Sequence, residues 1–134
     1  MKFDKSMVTI LMRRDYGASF DFYKEKLGLF PVAGDRNGPW TGFAVKEGGD
    51  YCLAIFAAEK QSAYKGYVPP ASPVMSDNIS LGIPSDNVDE DYKRLKEAGV
   101  EFIGEPQSIE EWGMRCVYFR DPEGNLLSLD GDAK

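Results

Sequence analysis

The spacing of apolar residues alternates along the chain between short continuous runs and a helical period. Residues 7–12 (MVTILM) form a continuous apolar run, which is typical of a buried strand. Phe20, Tyr23 and Leu27 then follow the i, i+3, i+7 spacing of an amphipathic helix within residues 16–28. Three further strands, separated by glycine-rich turns, are predicted after this helix, at residues 29–33, 40–46 and 51–57.

The second half of the chain repeats this order. Residues 78–83 predict a strand, and Asp86 or Asn87 is expected to cap the helix that follows. Gly28 and Gly99, which are expected to end the two helices, lie about 71 positions apart. The remaining predicted strands span residues 100–104, 114–119 and 126–130. The repeat indicates two copies of a βαβββ module, although the periodicity alone also fits a ferredoxin-like α+β sandwich.

The length and composition predict a single domain. The 134 residues are 43% hydrophobic and 28% charged, which is a globular composition for one hydrophobic core. We therefore expect one domain over residues 1–134. Its first module covers about 5–57, its second about 77–130, and a proline-containing connector spans about 58–76.

Charge and hydropathy exclude several classes of partner. Sixteen Lys and Arg against 22 Asp and Glu give a net charge of −6, whereas nucleic-acid binding needs clustered positive charge. The chain contains no long apolar segment of a membrane span and no recognisable signal peptide. These features predict a cytoplasmic protein with no nucleic-acid or membrane partner. The acidic balance favours neutral or cationic small molecules, or serves solubility alone.

The absence of histidine restricts the chemistry further. The whole sequence contains no histidine, so no imidazole metal ligand and no Ser-His or Cys-His nucleophile is available. Cys52 and Cys116 lie far apart in apolar runs, and we expect both to be free, unreactive thiols.

Three segments together resemble the glyoxalase/bleomycin-resistance/dioxygenase superfamily, whose members are also called vicinal oxygen chelate proteins. These segments are FDFYKEKLGL at 20–29, VDEDYKRLKEAGV at 88–100 and WGMRCVYFRDPEGNLLSL at 112–129. The last contains the most specific motif, an aromatic strand followed by DPxGN, in which Asp121 is expected to accept backbone hydrogen bonds. The resemblance implies an α+β fold in which two βαβββ modules form a curved, partly open, eight-stranded, barrel-like sheet with two main helices.

The resemblance also implies four metal-ligand positions, which this chain fills with other residues. Carried over from the family pattern, the usual His and Glu positions fall near Val8, Ala54, Asn78 and Ser128. The first-strand position allows a shift of one residue and the fourth-strand position a shift to Leu53, but no neighbour offers His or Glu. These side chains offer at best weak neutral oxygens, so no metal and no cofactor is expected. Asp130, which can share a strand face with Ser128, leaves a weak hard-cation site as an alternative.

The same resemblance points to a ligand cleft lined by aromatic and small side chains. The metal-free members of the superfamily that this chain resembles are drug-binding proteins of the bleomycin-resistance type. These proteins are homodimers that bind a ligand without converting it. Candidate ligand-binding residues are Trp40, Phe43, Phe56, Asn78, Trp112, Met114, Tyr118 and Ser128. For the phenylalanines a core position is the competing interpretation, and for the tryptophans the two interpretations are balanced.

Three functional hypotheses follow from the sequence. The first is metal-free binding or sequestration of a small aromatic molecule, neutral or cationic, by a protein without catalytic residues. The second is a lyase, isomerase or dioxygenase of the superfamily that acts without the standard His/Glu metal site. The third is an interaction or regulatory domain. In each case a homodimer is the expected assembly, because an open sheet leaves an edge and a face for a second copy.

Overall fold

The computed structural model describes residues 8–63 and 79–133, and the chain divides into two compact units, Met1–Pro73 and Val74–Lys134. The first unit contains strands β1 (Val8–Met12), β2 (Phe30–Gly34), β3 (Trp40–Ala44) and β4 (Leu53–Ala57), and helix α1 (Tyr16–Asp21). The second contains strands β5 (Ser80–Pro84), β6 (Phe102–Ile109), β7 (Met114–Arg120) and β8 (Leu126–Asp132), and helix α2 (Val88–Glu97). The predicted α+β class and the two βαβββ modules are confirmed.

Each module forms one open four-stranded sheet with the same strand order. The orders are β1-β4-β3-β2 and β5-β8-β7-β6, so the first and last strands of a module are hydrogen-bonded neighbours. These two pairs run parallel, whereas every other neighbouring pair is antiparallel. The repeat seen in the sequence is therefore a repeat of topology.

Helix α1 is shorter than its amphipathic pattern predicts. Asp15 caps it by accepting a hydrogen bond from the Ala18 amide, but regular helix ends at Asp21. The chain continues as a π-helical turn over Phe22–Lys26, in which the Leu27 amide donates to the Phe22 carbonyl five residues earlier. This wider turn accompanies the burial of two consecutive aromatic side chains, which a period of 3.6 residues does not anticipate.

Helix α2 follows its sequence signals closely. Asn87, one of the two predicted caps, accepts a hydrogen bond from the Glu90 amide, and the helix begins at Val88. Val88 and Leu95 are its buried residues. Neither helix, nor any other in the described part of the chain, is long and apolar enough to cross a bilayer.

Strand β6 is longer than predicted. It extends to Ile109 instead of ending at residue 104, and its pairing with β7 is interrupted between Ile103 and Gln107. Gly104 lies inside that interruption with a φ of +81°, which a residue with a side chain rarely adopts. The glycine that looked like a strand end in the sequence is therefore part of a bulge.

The helix side of each sheet is identified by its contacts. In the first unit the rings of Phe20 and Tyr23 pack against Phe43 of β3. In the second unit Tyr92 of α2 packs edge-on against Phe102 of β6. Because side chains alternate along a strand, the neighbours of these residues in sequence point to the other side of the sheet. We call that side, which faces away from the unit's own helix, the open face.

Candidate functional site

The open face of the first sheet carries an aromatic pair seated on a glycine. Cross-strand pairing places Trp40 opposite Phe56 and Gly42 opposite Ala54 on this face. The rings of Trp40 and Tyr51 meet edge to face, with centroids 5.4 Å apart. A Cβ on Gly42 would lie 2.8 Å from Cη2 of Trp40 and 2.9 Å from Cγ of Tyr51. The missing side chain is therefore what allows both rings to lie over the strand.

Phe43 does not belong to this face, and its assignment to the ligand site is corrected. It is fully buried, 0% exposed, with its ring against the two aromatic rings of the first helical segment. Trp40 and Gly42 occupy the alternate positions of the same strand, so the strand sends Phe43 to the core by its own geometry. The competing interpretation of Phe43 as a core residue is the correct one.

The first-strand position of the family pattern is shifted by one residue. Val8 pairs with Leu53, whereas Thr9 pairs with Ala54, the predicted fourth-strand position. Thr9 and Ala54 therefore share the open face, and Val8 alternates to the side of Ile10 and Ile55. This shift stays within the one-residue range that the sequence allows. It replaces the valine, which has no metal-ligating atom, by a threonine, whose neutral hydroxyl is a weak metal ligand.

The open face of the second sheet brings together the predicted residues of β7 and β8. Tyr118 lies opposite Ser128, and Cys116 lies opposite Asp130. Met114 lies on the same face two residues before Cys116, as the alternation predicts. Tyr118 is 43% exposed and is available to a ligand, whereas Ser128 is buried at 5% exposure.

Ser128 is hydrogen-bonded to Asp130, two residues further along the same strand. Its hydroxyl donates a hydrogen bond of 3.0 Å to Oδ2 of Asp130. The predicted sharing of one strand face by these two residues is thus confirmed. A Cβ on Gly82, the β5 residue opposite Ser128, would lie 2.5 Å from the same carboxylate oxygen. The carboxylate of Asp130 therefore lies directly over the glycine backbone.

The thiol of Cys116 is not activated by these surroundings. Burial and, to a smaller extent, the negative charge of Asp130 raise the pKa of the Cys116 thiol. A raised pKa lowers the fraction of thiolate, which is the reactive form. The expectation that Cys116 is unreactive agrees with its environment.

Two candidate residues lie away from the strands' paired regions. Trp112 ends a short 3₁₀ turn, Glu110–Trp112, that leads into β7, and its side chain is 68% exposed. Gly113 follows with a φ of +62°. Asn78 lies outside the described residues, so its assignment stays a prediction from the sequence. An exposed indole at a strand entry is available for contact but contributes little to a core.

The DPxGN motif is a self-contained turn. Oδ1 of Asp121 accepts hydrogen bonds from the amides of Glu123 and Asn125, and Oδ2 accepts one from the Asn125 side chain. Gly124 takes a φ of +90° in this turn. The prediction that Asp121 accepts backbone hydrogen bonds is confirmed, and the motif connects β7 to β8 without providing a reactive group.

The residues at the family's metal positions do not fit a transition metal. In the registers described above, Thr9, Ala54 and Ser128 lie on the open faces at three of these positions, and the fourth, Asn78, lies outside the described residues. No group of three or more Cys, Asp or Glu side chains with metal-binding geometry occurs within residues 8–63 and 79–133. Since the complete sequence contains no histidine, this donor set is too weak for a first-row metal.

The protein is a two-module α+β protein with one open sheet in each module. In each sheet the first strand pairs parallel with the last, and the open face carries aromatic side chains. Comparison with protein families extends this class: the model of the Glyoxalase/Bleomycin resistance protein/Dioxygenase superfamily matches residues 6–129. The chain belongs to that superfamily.

Individual relatives place the chain among proteins of differing description. It is 28% identical over 120 residues to the uncharacterized protein YraH of Bacillus subtilis (strain 168), covering 89% of this chain and 91% of that one. It is 38% identical over only 53 residues to the metallothiol transferase FosB of Shouchella clausii (strain KSM-K16), covering 39% of this chain and 36% of that protein.

Solved structures agree with the fold. A glyoxalase/bleomycin resistance protein/dioxygenase family enzyme from Burkholderia phytofirmans PsJN superposes with a TM-score of 0.75 at 22% identity, covering 96% of this chain and 98% of that one. A lactoylglutathione lyase from Agrobacterium tumefaciens gives a TM-score of 0.70 at 21% identity, covering 98% and 96%. At these identities the likeness shows the fold alone.

Sequence reasoning missed two members of the open faces. Tyr51 was assigned to a strand, yet it precedes β4 and contributes the second ring of the aromatic pair. Ile103, which is 50% exposed, lies opposite Tyr118 and extends the apolar part of the second open face. No local sequence pattern links Tyr51 to Trp40 or Gly42, because their contact depends on how the strands pair.

Proposed function

We propose that this protein binds a small, flat, neutral or cationic molecule on the open face of a sheet, without a metal and without converting it. The observation that carries the proposal is the aromatic pair of Trp40 and Tyr51, which rests on Gly42 and leaves ring surface on the open side. Aromatic rings held in a fixed arrangement suit stacking against a planar ligand at a low cost in conformational entropy.

The chemistry of the remaining open-face residues supports binding over catalysis. Their donor set does not fit the metal by which the family's enzymes are expected to act, and the Cys116 thiol has a raised pKa. The similarity to a metallothiol transferase and to a lactoylglutathione lyase keeps an enzymatic role as the alternative. That alternative needs a general acid or base other than histidine.

Tryptophan fluorescence tests the binding role. The chain has two tryptophans, so Trp112→Phe leaves Trp40 as the single indole reporter. A panel of flat aromatic compounds that differ in charge is titrated against this variant, with chelator present throughout. We expect saturable quenching by at least one compound, with no loss of that compound from the mixture over time.

Gly42→Ala provides the structural control for the same titration. The added methyl group requires the two rings to move, because it would lie within 3 Å of both. We expect the affinity for the ligand to fall by about tenfold, a typical cost for a displaced aromatic anchor. We also expect the double variant Gly42→Ala with Trp40→Phe to be more stable than Gly42→Ala alone, because the smaller ring relieves part of the clash. Saturable binding that is unchanged in Gly42→Ala would remove the aromatic pair from the site. Turnover of the compound would favour the enzymatic alternative.

A further inference from the structure

Asp130 occupies a constrained position on the open face of the second sheet. It lies in β8 opposite Cys116 on one side and opposite Pro84 on the other. Its Oδ2 atom accepts the Ser128 hydroxyl at 3.0 Å and lies where a side chain on Gly82 would have to be. A buried hydroxyl and a bare backbone therefore hold one carboxylate oxygen in place and leave the other oxygen, Oδ1, for a further partner.

No cation of the described chain neutralises this carboxylate. The ion pairs within residues 8–63 and 79–133 join Asp21, Glu25, Asp89 and Asp91 to lysine or arginine, and none of them includes Asp130. Arg115, on the neighbouring strand, points to the helix side and is engaged with Asp89. A half-buried carboxylate is stabilised by a nearby positive charge, so a cationic group bound on this face would gain from Asp130.

The charge of Asp130 is felt by its neighbour. It contributes to raising the pKa of the Cys116 thiol, although burial contributes more. A cation placed at Oδ1 would face this same negative field. The half-exposed ring of Tyr118 lies on the same face, diagonally across the strand pair, and its π surface also attracts cations.

The geometry selects among kinds of cation. A guanidinium prefers to bind both oxygens of a carboxylate, but Oδ2 accepts the Ser128 hydroxyl and lies against the Gly82 backbone, which leaves less room for a second donor. A divalent metal ion needs several oxygen ligands, and no group of three or more Cys, Asp or Glu side chains suited to a metal occurs in the part of the chain that the structure describes. An organic ammonium needs one strong acceptor, further weak acceptors and an apolar or aromatic surround, and this face offers that combination.

We infer that the open face of the second sheet is the recognition site for an organic ammonium group, with Asp130 as its counter-ion, Ser128 as the residue that positions the carboxylate and Tyr118 as the aromatic wall. The inference rests on the proposed function and deepens it, because on the second sheet it favours a cationic ligand over the neutral one that the proposal also allows.

A pair of matched probes tests the inference. The ¹⁵N-labelled protein is titrated with 2-phenylethylammonium and with 2-phenylethanol, which share an aromatic ring but differ in charge, and amide shifts are followed at residues 116–118 and 128–130. We expect the ammonium to bind about tenfold more tightly, the scale of one hydrogen bond to a charged group. Asp130→Asn should remove that preference and leave the affinity for the alcohol unchanged.

Asp132→Asn is the matched control, since it removes the same charge from an exposed carboxylate two residues along the same strand. It should retain the preference, and loss of the preference in both variants would overturn the inference in favour of a general field effect. Equal affinity of the two probes for the wild type would overturn it without any variant and would leave the proposed function standing. Absence of binding by either probe, with no quenching of Trp40, would overturn both.

Discussion

At the scale of single residues, exposure separates aromatic side chains that the sequence could not tell apart. Phe43 and Trp112 were both candidates for ligand contact, and both lie next to glycine in the sequence. Phe43 is 0% exposed against the first helical segment, whereas Trp112 is 68% exposed in a turn. Only the pairing of β3 with β4, a contact distant in sequence, determines which face Phe43 occupies.

Truncation of these two residues should have opposite consequences for stability. Phe43→Ala removes a fully buried ring and is expected to lower the free energy of unfolding by about 3–5 kcal/mol. Trp112→Ala removes an exposed one and is expected to change it by less than about 0.5 kcal/mol. Urea denaturation measures both, and a large loss of stability in Trp112→Ala would show that its indole is covered in solution.

At the scale of elements, one bidentate ion pair fastens each helical region to other parts of its unit. Arg36, in the turn between β2 and β3, binds both carboxylate oxygens of Asp21 at the end of α1, each at 2.9 Å. Arg115 of β7 binds both oxygens of Asp89 in the first turn of α2, each at 2.8 Å. The hydrogen bonds from these guanidinium groups lower the pKa of Asp21 and of Asp89.

These lowered values predict the response to acid. A carboxyl group whose folded pKa lies below its unfolded value, about 4, contributes stability above that value and loses it as the pH falls through the folded pKa. The melting temperature should therefore decline more steeply below about pH 4 in the wild type than in Arg115→Gln. The difference is expected to be modest, because the pair lies near the surface.

Arg94→Gln is the control for this experiment. It makes the same change in net charge on α2, where Arg94 forms a longer contact of 3.6 Å with Asp91. Thermal melts of the three proteins between pH 2.5 and 6 compare the slopes. An acid slope in Arg115→Gln equal to that of the wild type would show that the Asp89 pair does not couple folding to protonation.

The elements differ in how well their sequences predict them, and the reasons are physical. Helix α2 was predicted nearly to the residue because Asn87 and Gly99 are local signals that act within one turn. The prediction for strand β6 ends too early, at Gly104, because a glycine at positive φ has the same sequence signature in a bulge as in a turn. The one-residue shift at Val8 arose because strand register depends on a partner about 45 positions away.

The candidate site was predicted less completely than the fold. Alternation along β7 correctly grouped Met114, Cys116 and Tyr118, since it needs only the period of a strand. The contact of Trp40 with Tyr51 joins the first residue of β3 to the segment before β4, over Gly42, and no pattern within either segment encodes it. Side-chain pairs formed by tertiary pairing are therefore the part that the sequence alone leaves undetermined.

At the scale of the whole molecule, the donor set predicts independence from metal ions. The purified protein should contain no stoichiometric zinc, nickel, iron or manganese, and a chelator should leave its melting temperature unchanged. Elemental analysis and a thermal melt with and without chelator provide the measurements. One metal ion per chain together with a chelator-sensitive melt would show that residues beyond Thr9, Ala54, Asn78 and Ser128 supply ligands.

The assembly of the molecule is a second prediction at this scale. We expect a homodimer, because strands β2 and β6 are the outer strands of their sheets on one side and leave backbone groups unpaired. Phe30 and Val32 of β2 also expose apolar surface. Light scattering at tens of micromolar protein measures the mass. A monomer under these conditions would contradict the prediction and would exclude a site completed by a second copy.

The parallel pairing of the first and last strands in each module has a consequence for biosynthesis. Among the described strands, β5 is hydrogen-bonded to β8 alone, and the two are separated by about 45 positions of chain. During synthesis on the ribosome, β5 therefore has no partner strand until α2, β6, β7 and β8 have been synthesised. Contacts of such long range slow folding, since the loop between them must close before they form. Ser128 and Asp130 lie on β8, the strand that pairs with β5. The face that we assign to ligand recognition therefore forms when β8 pairs with β5 and completes the sheet of the second module.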